Sequence, residues 1–160
     1  GLSWGVPHWI GNGTYFSDDN VMYQTQWVKC VKNYTGIDLD YIGIWNERPY
    51  GPPSYTIALR QSLDKAGFTG TKIVLPDSRI SQGLVDLLDS TSPSYNSTFS
   101  DAVYALGQHG CGQLDDITGS FPQQKFFCAE SEVSNGITAA LNWGGSPASY
   151  FIRVNQTSTT

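Results

Sequence analysis

Short apolar runs alternate along this chain with longer stretches in which apolar residues recur every three or four positions. The runs are rich in β-branched and aromatic residues and are apolar on both alternating faces, which is typical of strands buried in a parallel sheet. They predict strands at 41–46, 72–77, 103–109 and 125–130, and a shorter strand-like piece begins at Leu2. The spaced stretches predict helices over 18–34, 55–66 and 81–89.

Capping residues mark the ends of these helices. Ser17 precedes the first helix, whose apolar stripe is expected to turn residues such as Met22 inward. Ser54 is expected to cap the second helix, with Leu63 on its inner face and Gly67 as its C-cap. The sequence therefore predicts an α/β fold.

Strands that alternate with helices predict a parallel sheet with right-handed crossovers. A doubly wound sheet is the rival, but no Gly-rich phosphate loop follows any strand. Polar and aromatic side chains collect instead at strand ends, where an α/β barrel keeps its chemistry. These residues are Trp4, Asn46, Glu47, Asp77, His109 and Glu130. We expect a (β/α)8 TIM barrel.

Composition excludes two classes of function, nucleic-acid binding and membrane spanning. Only 14% of the 160 residues are charged and 13% are aromatic, and the net charge is −5 without a Lys/Arg cluster. We therefore expect that the protein does not bind nucleic acid. No run approaches the ~20 apolar residues of a membrane span, so no transmembrane segment is expected.

Four N-x-Ser/Thr sequons point to N-glycosylation in the secretory pathway, against the alternative of a chance match in a Ser/Thr-rich chain. They begin at Asn12, Asn33, Asn96 and Asn155. A secreted or lysosomal protein is expected, although no signal peptide opens the sequence. Cys30, Cys111 and Cys128 have no metal-ligand spacing, and their odd number leaves at least one unpaired within the chain.

Two strand-end carboxylates, Glu47 and Glu130, suggest glycoside hydrolysis. If they flank an anomeric carbon about 5–5.5 Å apart, one is the nucleophile and the other the acid/base, with retention of configuration. Such a reaction needs no metal or organic cofactor. Trp4 and Trp9 would stack on sugar faces, and Asn46 could bond the 2-hydroxyl.

Each candidate site residue also has an alternative role that is not catalytic. Glu47 could cap the next helix or lie exposed to solvent. His109 could be a polar residue at a strand end whose hydrogen bonds are made within the protein. Glu132 competes with Glu130 for the nucleophile role. Asp77 fits a buried hydrogen-bond anchor better than a reactant. Trp27 and Trp45 are expected in the core.

The stretch IDLDYIGIWNERPY resembles the acid/base strand of glycoside hydrolase family 59, the galactocerebrosidases. LSWGVPHWIGNG is similar to the family's third strand, KIVLPDS to its fifth, VYALGQHGCG to its sixth and KFFCAESE to its nucleophile strand. The resemblance runs in the right order from Leu2 to about Glu132.

This resemblance implies that Glu47 is the acid/base and Glu130, rather than Glu132, the nucleophile. It implies that Asn46 contacts the 2-hydroxyl and that Trp4 and His109 line the site. The chain departs from the family at Gly110-Cys111, Cys128-Ala129 and Val133, so the resemblance does not carry over the exact sugar and aglycone contacts.

In family terms residues 1–160 are the central part of the catalytic barrel, an incomplete segment covering about strands 3 to 7, since a whole barrel needs about 250 residues. The implied function is hydrolysis of galactosylceramide-type lipids, with a lipid-presenting activator protein as a possible partner and little activity for this piece alone. The alternatives are a glucosylceramidase-like or xylan-cleaving hydrolase, and a non-catalytic carbohydrate-binding protein on a decayed barrel.

Overall fold

A computed structural model describes residues 5–45, 48–109, 125–131 and 150–152 of the chain. Five strands form one sheet in which every neighbouring pair is parallel. They are β1 (Tyr41–Gly43), β2 (Lys72–Val74), β3 (Val103–His109), β4 (Lys125–Ser131) and β5 (Tyr150–Ile152). The predicted strand at Leu2 lies outside the described residues.

The strands stand side by side in the order in which they occur along the chain. A doubly wound sheet reverses its strand order at a switch point, and the described sheet has no such reversal. The fold is thus a mixed α/β structure with a parallel sheet, compatible with a segment of a glycosidase barrel. β5 was not predicted, and it continues the sheet one strand beyond the segment expected from the sequence.

The first helix, α1, spans Asp18–Thr35, as its apolar stripe predicted. The Ser17 side chain accepts a hydrogen bond from the Asn20 amide, and Gly36 ends the helix in the left-handed conformation that glycine adopts without strain. Val21 and Val28 are buried, but Met22 is 58% exposed and Trp27 is 47% exposed. The predictions that Met22 faces inward and that Trp27 belongs to the core were therefore wrong.

The second helix, α2, spans Pro53–Lys65 and begins earlier than predicted. Pro52 occupies the N-cap, so Ser54 lies inside the first turn rather than capping it. At the other end Gly67 follows the cap with φ of 88°. Its amide donates to Asp64 O and the Phe68 amide to Leu63 O, the paired bonds of a Schellman motif.

Two short helices connect β2 to β3. The predicted third helix is present as α3 (Gln82–Leu88), capped by Ser81. A further helix, α4 (Ser97–Ala102), was missed because its six residues are too few to show a periodic stripe. The Asn96 side chain caps α4 by accepting a hydrogen bond from the Phe99 amide at 3.0 Å.

The core lies between the sheet and the helices that cover it. Its members include apolar side chains from α1 to α4, from the first three strands and from the loops beside them. Fully buried examples are Leu59, Leu63, Ile73, Leu84, Phe99 and Leu106. This packing fixes the strands, and through them the positions of their ends.

Truncation of a core side chain should destabilise the fold far more than truncation on the outer face of α1. We expect Leu63→Ala to lower the free energy of unfolding by about 2–5 kcal/mol, because it leaves a cavity beside α2 and the sheet. Met22→Ala, at an exposed position, should change it by about 0.5 kcal/mol or less. Denaturant unfolding of both variants measures the difference, and equal losses would contradict this core assignment.

Candidate active site

The carboxyl ends of the parallel strands meet at one edge of the sheet, and three of the six strand-end residues predicted from the sequence belong to this edge. His109 is the last residue of β3, and Glu130 is the last but one of β4. Asp77 follows β2 by three residues. Trp4, Asn46 and Glu47 lie outside the described residues, so their roles stay predictions.

A register shift sets His109 opposite Glu130. Gln108 pairs with Cys128, but the next residue of β3, His109, pairs with Glu130, so β4 accommodates Ala129 as an additional residue at this point. Neighbouring strands run about 4.7–4.9 Å apart. Shifts of this kind are common beside active sites, where they terminate or redirect a regular ladder. The backbones of two predicted site residues are thereby brought side by side.

The loop after β2 follows β3 toward the same edge. The Gly107 amide donates to Leu75 O at 3.2 Å, and Ser78 pairs with Gln108 in a parallel bridge. The Gln108 side chain, only 1% exposed, accepts a 2.8 Å hydrogen bond from the Ile80 amide through Oε1. Because Asp77 lies within this tethered loop, Gln108 holds the loop in place between two strand ends.

Asp77 and Trp45 line a cleft of about 750 Å³ beside β1 and α1. Many of the side chains that line the cleft are aromatic, and Asp77, which is half-buried, contributes a carboxyl group to the lining. Its other lining residues are Tyr15, Tyr23, Gln24, Trp27, Tyr41, Ile42, Gly43 and Ile44. A second groove, of about 440 Å³, lies at the opposite ends of β2 and β3, away from the predicted chemistry.

Tyr15 holds the chain where it leaves β1. Its hydroxyl donates to the Ile44 carbonyl and accepts a 2.8 Å hydrogen bond from Gln24 Nε2. Its ring stacks on Trp45 with centroids 4.2 Å apart and planes 4° from parallel. Trp45 is half-buried against the core, as the sequence predicted. Tyr15 was not predicted as a site residue, because no motif marks an aromatic residue in a loop before a helix.

Other contacts surround this aromatic pair. The Asn20 side-chain amide donates to Tyr15 O at 2.9 Å and to the Tyr55 hydroxyl at 2.8 Å. Phe16 meets Trp45 edge to face at 5.5 Å. Gly51, with φ of 71°, packs so close to Phe16 that a Cβ there would lie 2.2 Å from its ring. The loop between β1 and α2 is thus packed directly onto this cluster.

The sequons lie at different surface positions. Asn12 is exposed in a short 3-10 helix (Gly11–Gly13), Asn33 is exposed in the last turn of α1, and Asn96 is half-buried as the α4 cap. Asn155 lies outside the described residues. Cys30 is exposed on α1 and has no disulfide partner in the part of the chain that the structure describes.

No helix within the described ranges combines the length and apolar character needed to cross a bilayer.

Removal of the Gln108 acceptor should loosen the loop that carries Asp77. Gln108→Met leaves the buried Ile80 amide without its partner, which costs about 1–3 kcal/mol. We expect faster hydrogen exchange at the Ile80 amide, whereas Gln26→Met on the exposed surface of α1 should leave that rate unchanged. Unchanged protection of Ile80 in Gln108→Met would contradict the tether.

Tyr15 should also make stability sensitive to alkali. Burial raises its pKa from 10.0 to about 12, and hydrogen bonds with Asn20 and Gln24 offset part of this rise. The folded chain therefore holds the phenolic proton more tightly than the unfolded chain does. This contribution is fully present below pH 10 and is lost as the pH rises toward about 12.

Urea unfolding at a series of pH values from 9 to 12 measures this loss. Burial also raises the pKa of Tyr55, so part of the alkaline slope should remain in Tyr15→Phe. An identical slope in the Tyr15→Phe variant and the parent would contradict the assignment to Tyr15.

Comparison with known proteins supports a single family. The family profile described as "Glycosyl hydrolase family 59" matches residues 1–160. The galactocerebrosidase of Danio rerio is 37% identical over 136 residues, which is 81% of this chain and 19% of that protein. The galactocerebrosidase of Homo sapiens is 30% identical over 166 residues, which is 99% of this chain and 23% of that protein.

The galactocerebrosidase of Salmo salar is 31% identical over 151 residues, which is 88% of this chain and 22% of that protein. The chain thus spans about a fifth of the length of these curated relatives. Since the family profile covers every residue and the relatives cover most of them, this chain belongs to glycosyl hydrolase family 59.

Proposed function

We propose that this chain supplies the catalytic carboxylates of a retaining β-galactosidase that hydrolyses galactosylceramide-type glycosphingolipids. Family membership supports the reaction class, and the names of the relatives suggest the substrate. The observation that carries the proposal is the pairing of His109 with Glu130, which sets two predicted site residues on adjacent strands at the edge where barrel enzymes act.

Two displacements at the anomeric carbon make up the reaction. A Glu130 oxygen attacks that carbon while the Glu47 carboxyl gives its proton to the glycosidic oxygen, so the bond to the lipid breaks and a galactosyl ester forms. Glu47, now ionised, takes a proton from water, which attacks the same carbon and releases Glu130. Two inversions give net retention, and Glu47 acts first as acid and then as base.

The remaining site residues bind the sugar. Asn46 donates a hydrogen bond to the 2-hydroxyl, which strengthens as the oxocarbenium-like transition state develops. Trp4 stacks on the sugar face, and His109 lines the site beside the nucleophile. Side chains alone perform the acid, base and nucleophile roles, so the mechanism requires no metal or organic cofactor.

The cellular setting follows from the same assignment. A lysosomal or secreted glycoprotein, modified at Asn12, Asn33, Asn96 and Asn155, would meet galactolipids that a lipid-presenting activator protein delivers. Asn12 and Asn33 are exposed, which suits modification. Within the described sheet β1 and β5 are edge strands, and open edges invite pairing with other chains and aggregation. We therefore expect the isolated 160-residue chain to turn over substrate poorly.

Covalent trapping tests the nucleophile. A 2-deoxy-2-fluoro-β-galactoside with a good leaving group should label Glu130 in the protein expressed from its complete coding sequence. The fluorine slows both formation and hydrolysis of the ester, and the good leaving group speeds only its formation, so the ester accumulates. Peptide mapping of the labelled protein identifies the residue. Glu130→Gln should abolish labelling, and Glu132→Gln serves as the matched control that should retain it.

Two outcomes would overturn the assignment. Label on Glu132 would move the nucleophile by two residues. Absence of label, together with sugar binding that survives Glu47→Gln and Glu130→Gln, would favour a non-catalytic carbohydrate-binding protein on the same fold.

A further inference from the structure

One tyrosine contacts both residues of the segment that leads into the proposed acid/base residue. The paired residues of β1 and β2 end at Gly43 and Val74. Ile44 and Trp45 come next, directly before Asn46 and Glu47. The Tyr15 hydroxyl donates to the Ile44 carbonyl, just beyond the last pair of this ladder.

Two contacts at successive residues fix both position and direction. The hydrogen bond to Ile44 locates the backbone, and the parallel stacking on Trp45 fixes the plane of the next side chain. Tyr15 is itself only 4% exposed, and Gln24 Nε2 donates to its hydroxyl, which leaves the phenolic proton to point at the Ile44 carbonyl. Tyr15, which lies in the loop before α1 and not in the sheet, therefore presents an oriented hydroxyl donor to the Ile44 carbonyl.

We propose that Tyr15 is a positioning residue for Glu47, which it serves by fixing Ile44 and Trp45 so that the following carboxyl reaches the glycosidic oxygen. This inference rests on the proposed function, since it requires Glu47 to be the general acid. An acid must come within hydrogen-bond reach of the atom it protonates, and small displacements of a reacting group cost large factors in rate.

The leaving group supplies a selective readout. An alkyl galactoside needs its oxygen protonated as the bond to the anomeric carbon breaks, because an alkoxide leaves poorly. A 2,4-dinitrophenyl galactoside leaves as a stable phenolate without that proton. A misplaced acid therefore slows the first substrate much more than the second, whereas a general loss of folded protein lowers both equally.

The experiment compares Tyr15→Phe with the parent in the protein expressed from its complete coding sequence. Phenylalanine keeps the ring that stacks on Trp45 and removes only the hydroxyl. We expect kcat/KM for the alkyl galactoside to fall roughly 10- to 100-fold. The value for the dinitrophenyl galactoside should change much less. Tyr34→Phe, at an 87% exposed tyrosine near the end of α1, should change neither.

A second variant covers the case in which Tyr15→Phe folds poorly. Gln24→Met removes the donor that orients the hydroxyl but leaves Tyr15 in place, so it should show the same selectivity with a smaller loss. Equal losses on both substrates, or no loss on either, in the variant that folds would overturn the role of Tyr15.

Glu47→Gln, measured in parallel, separates this proposal from the one on which it rests. Its kcat/KM, which reports formation of the galactosyl ester, should fall roughly 10²- to 10⁴-fold for the alkyl galactoside and change little for the dinitrophenyl galactoside. Its kcat for the dinitrophenyl galactoside should fall as well, because Glu47 is also the base of the second displacement. If Glu47→Gln discriminates in this way and Tyr15→Phe does not, only the positioning role fails. If Glu47→Gln does not discriminate, the acid/base assignment fails and the role of Tyr15 fails with it.

Discussion

Parallel backbone pairing along β3 is the interaction on which the rest of the described structure depends. This strand pairs with β2 on one side and β4 on the other, and the loop after β2 bonds to it as far as Gln108. Val103, Ala105 and Leu106 are buried, so apolar packing and backbone hydrogen bonds reinforce each other here. The end of β3 consequently sets where His109, Glu130 and the Asp77 loop come together.

Aromatic contacts rather than sheet pairing organise the chain beyond β1. β1 is only three residues long, and the chain beyond it is held by Tyr15 and by the packing of Phe16 on Trp45. Gly51 has no Cβ to collide with Phe16, which allows the next loop to approach this cluster. A short edge strand thus gains its order from side chains of the loop before α1.

The physical origin of each prediction explains its outcome. The helix at 18–34 was correct because its capping serine and apolar stripe are local signals, and the same holds for the helix that Ser81 caps. The positions of Met22 and Trp27 were wrong because hydrophobic character alone does not say which side of a helix meets the core. Ser54 failed as a cap since Pro52 and Pro53 had already begun the helix. β5 was missed because its few residues lack a run that stands out from their surroundings.

The sequence by itself determined the alternation of strands and helices, the family, and the strand-end positions of His109 and Glu130, because all of these depend on residue order within short windows. Only the tertiary structure decided that His109 pairs with Glu130 through a shifted register and that Tyr15 bonds to Ile44, 29 positions away. Pairing register and contacts between distant segments arise when a whole set of side chains packs together. No local pattern encodes them, which is why the residues that position the proposed chemistry were visible only in the folded chain.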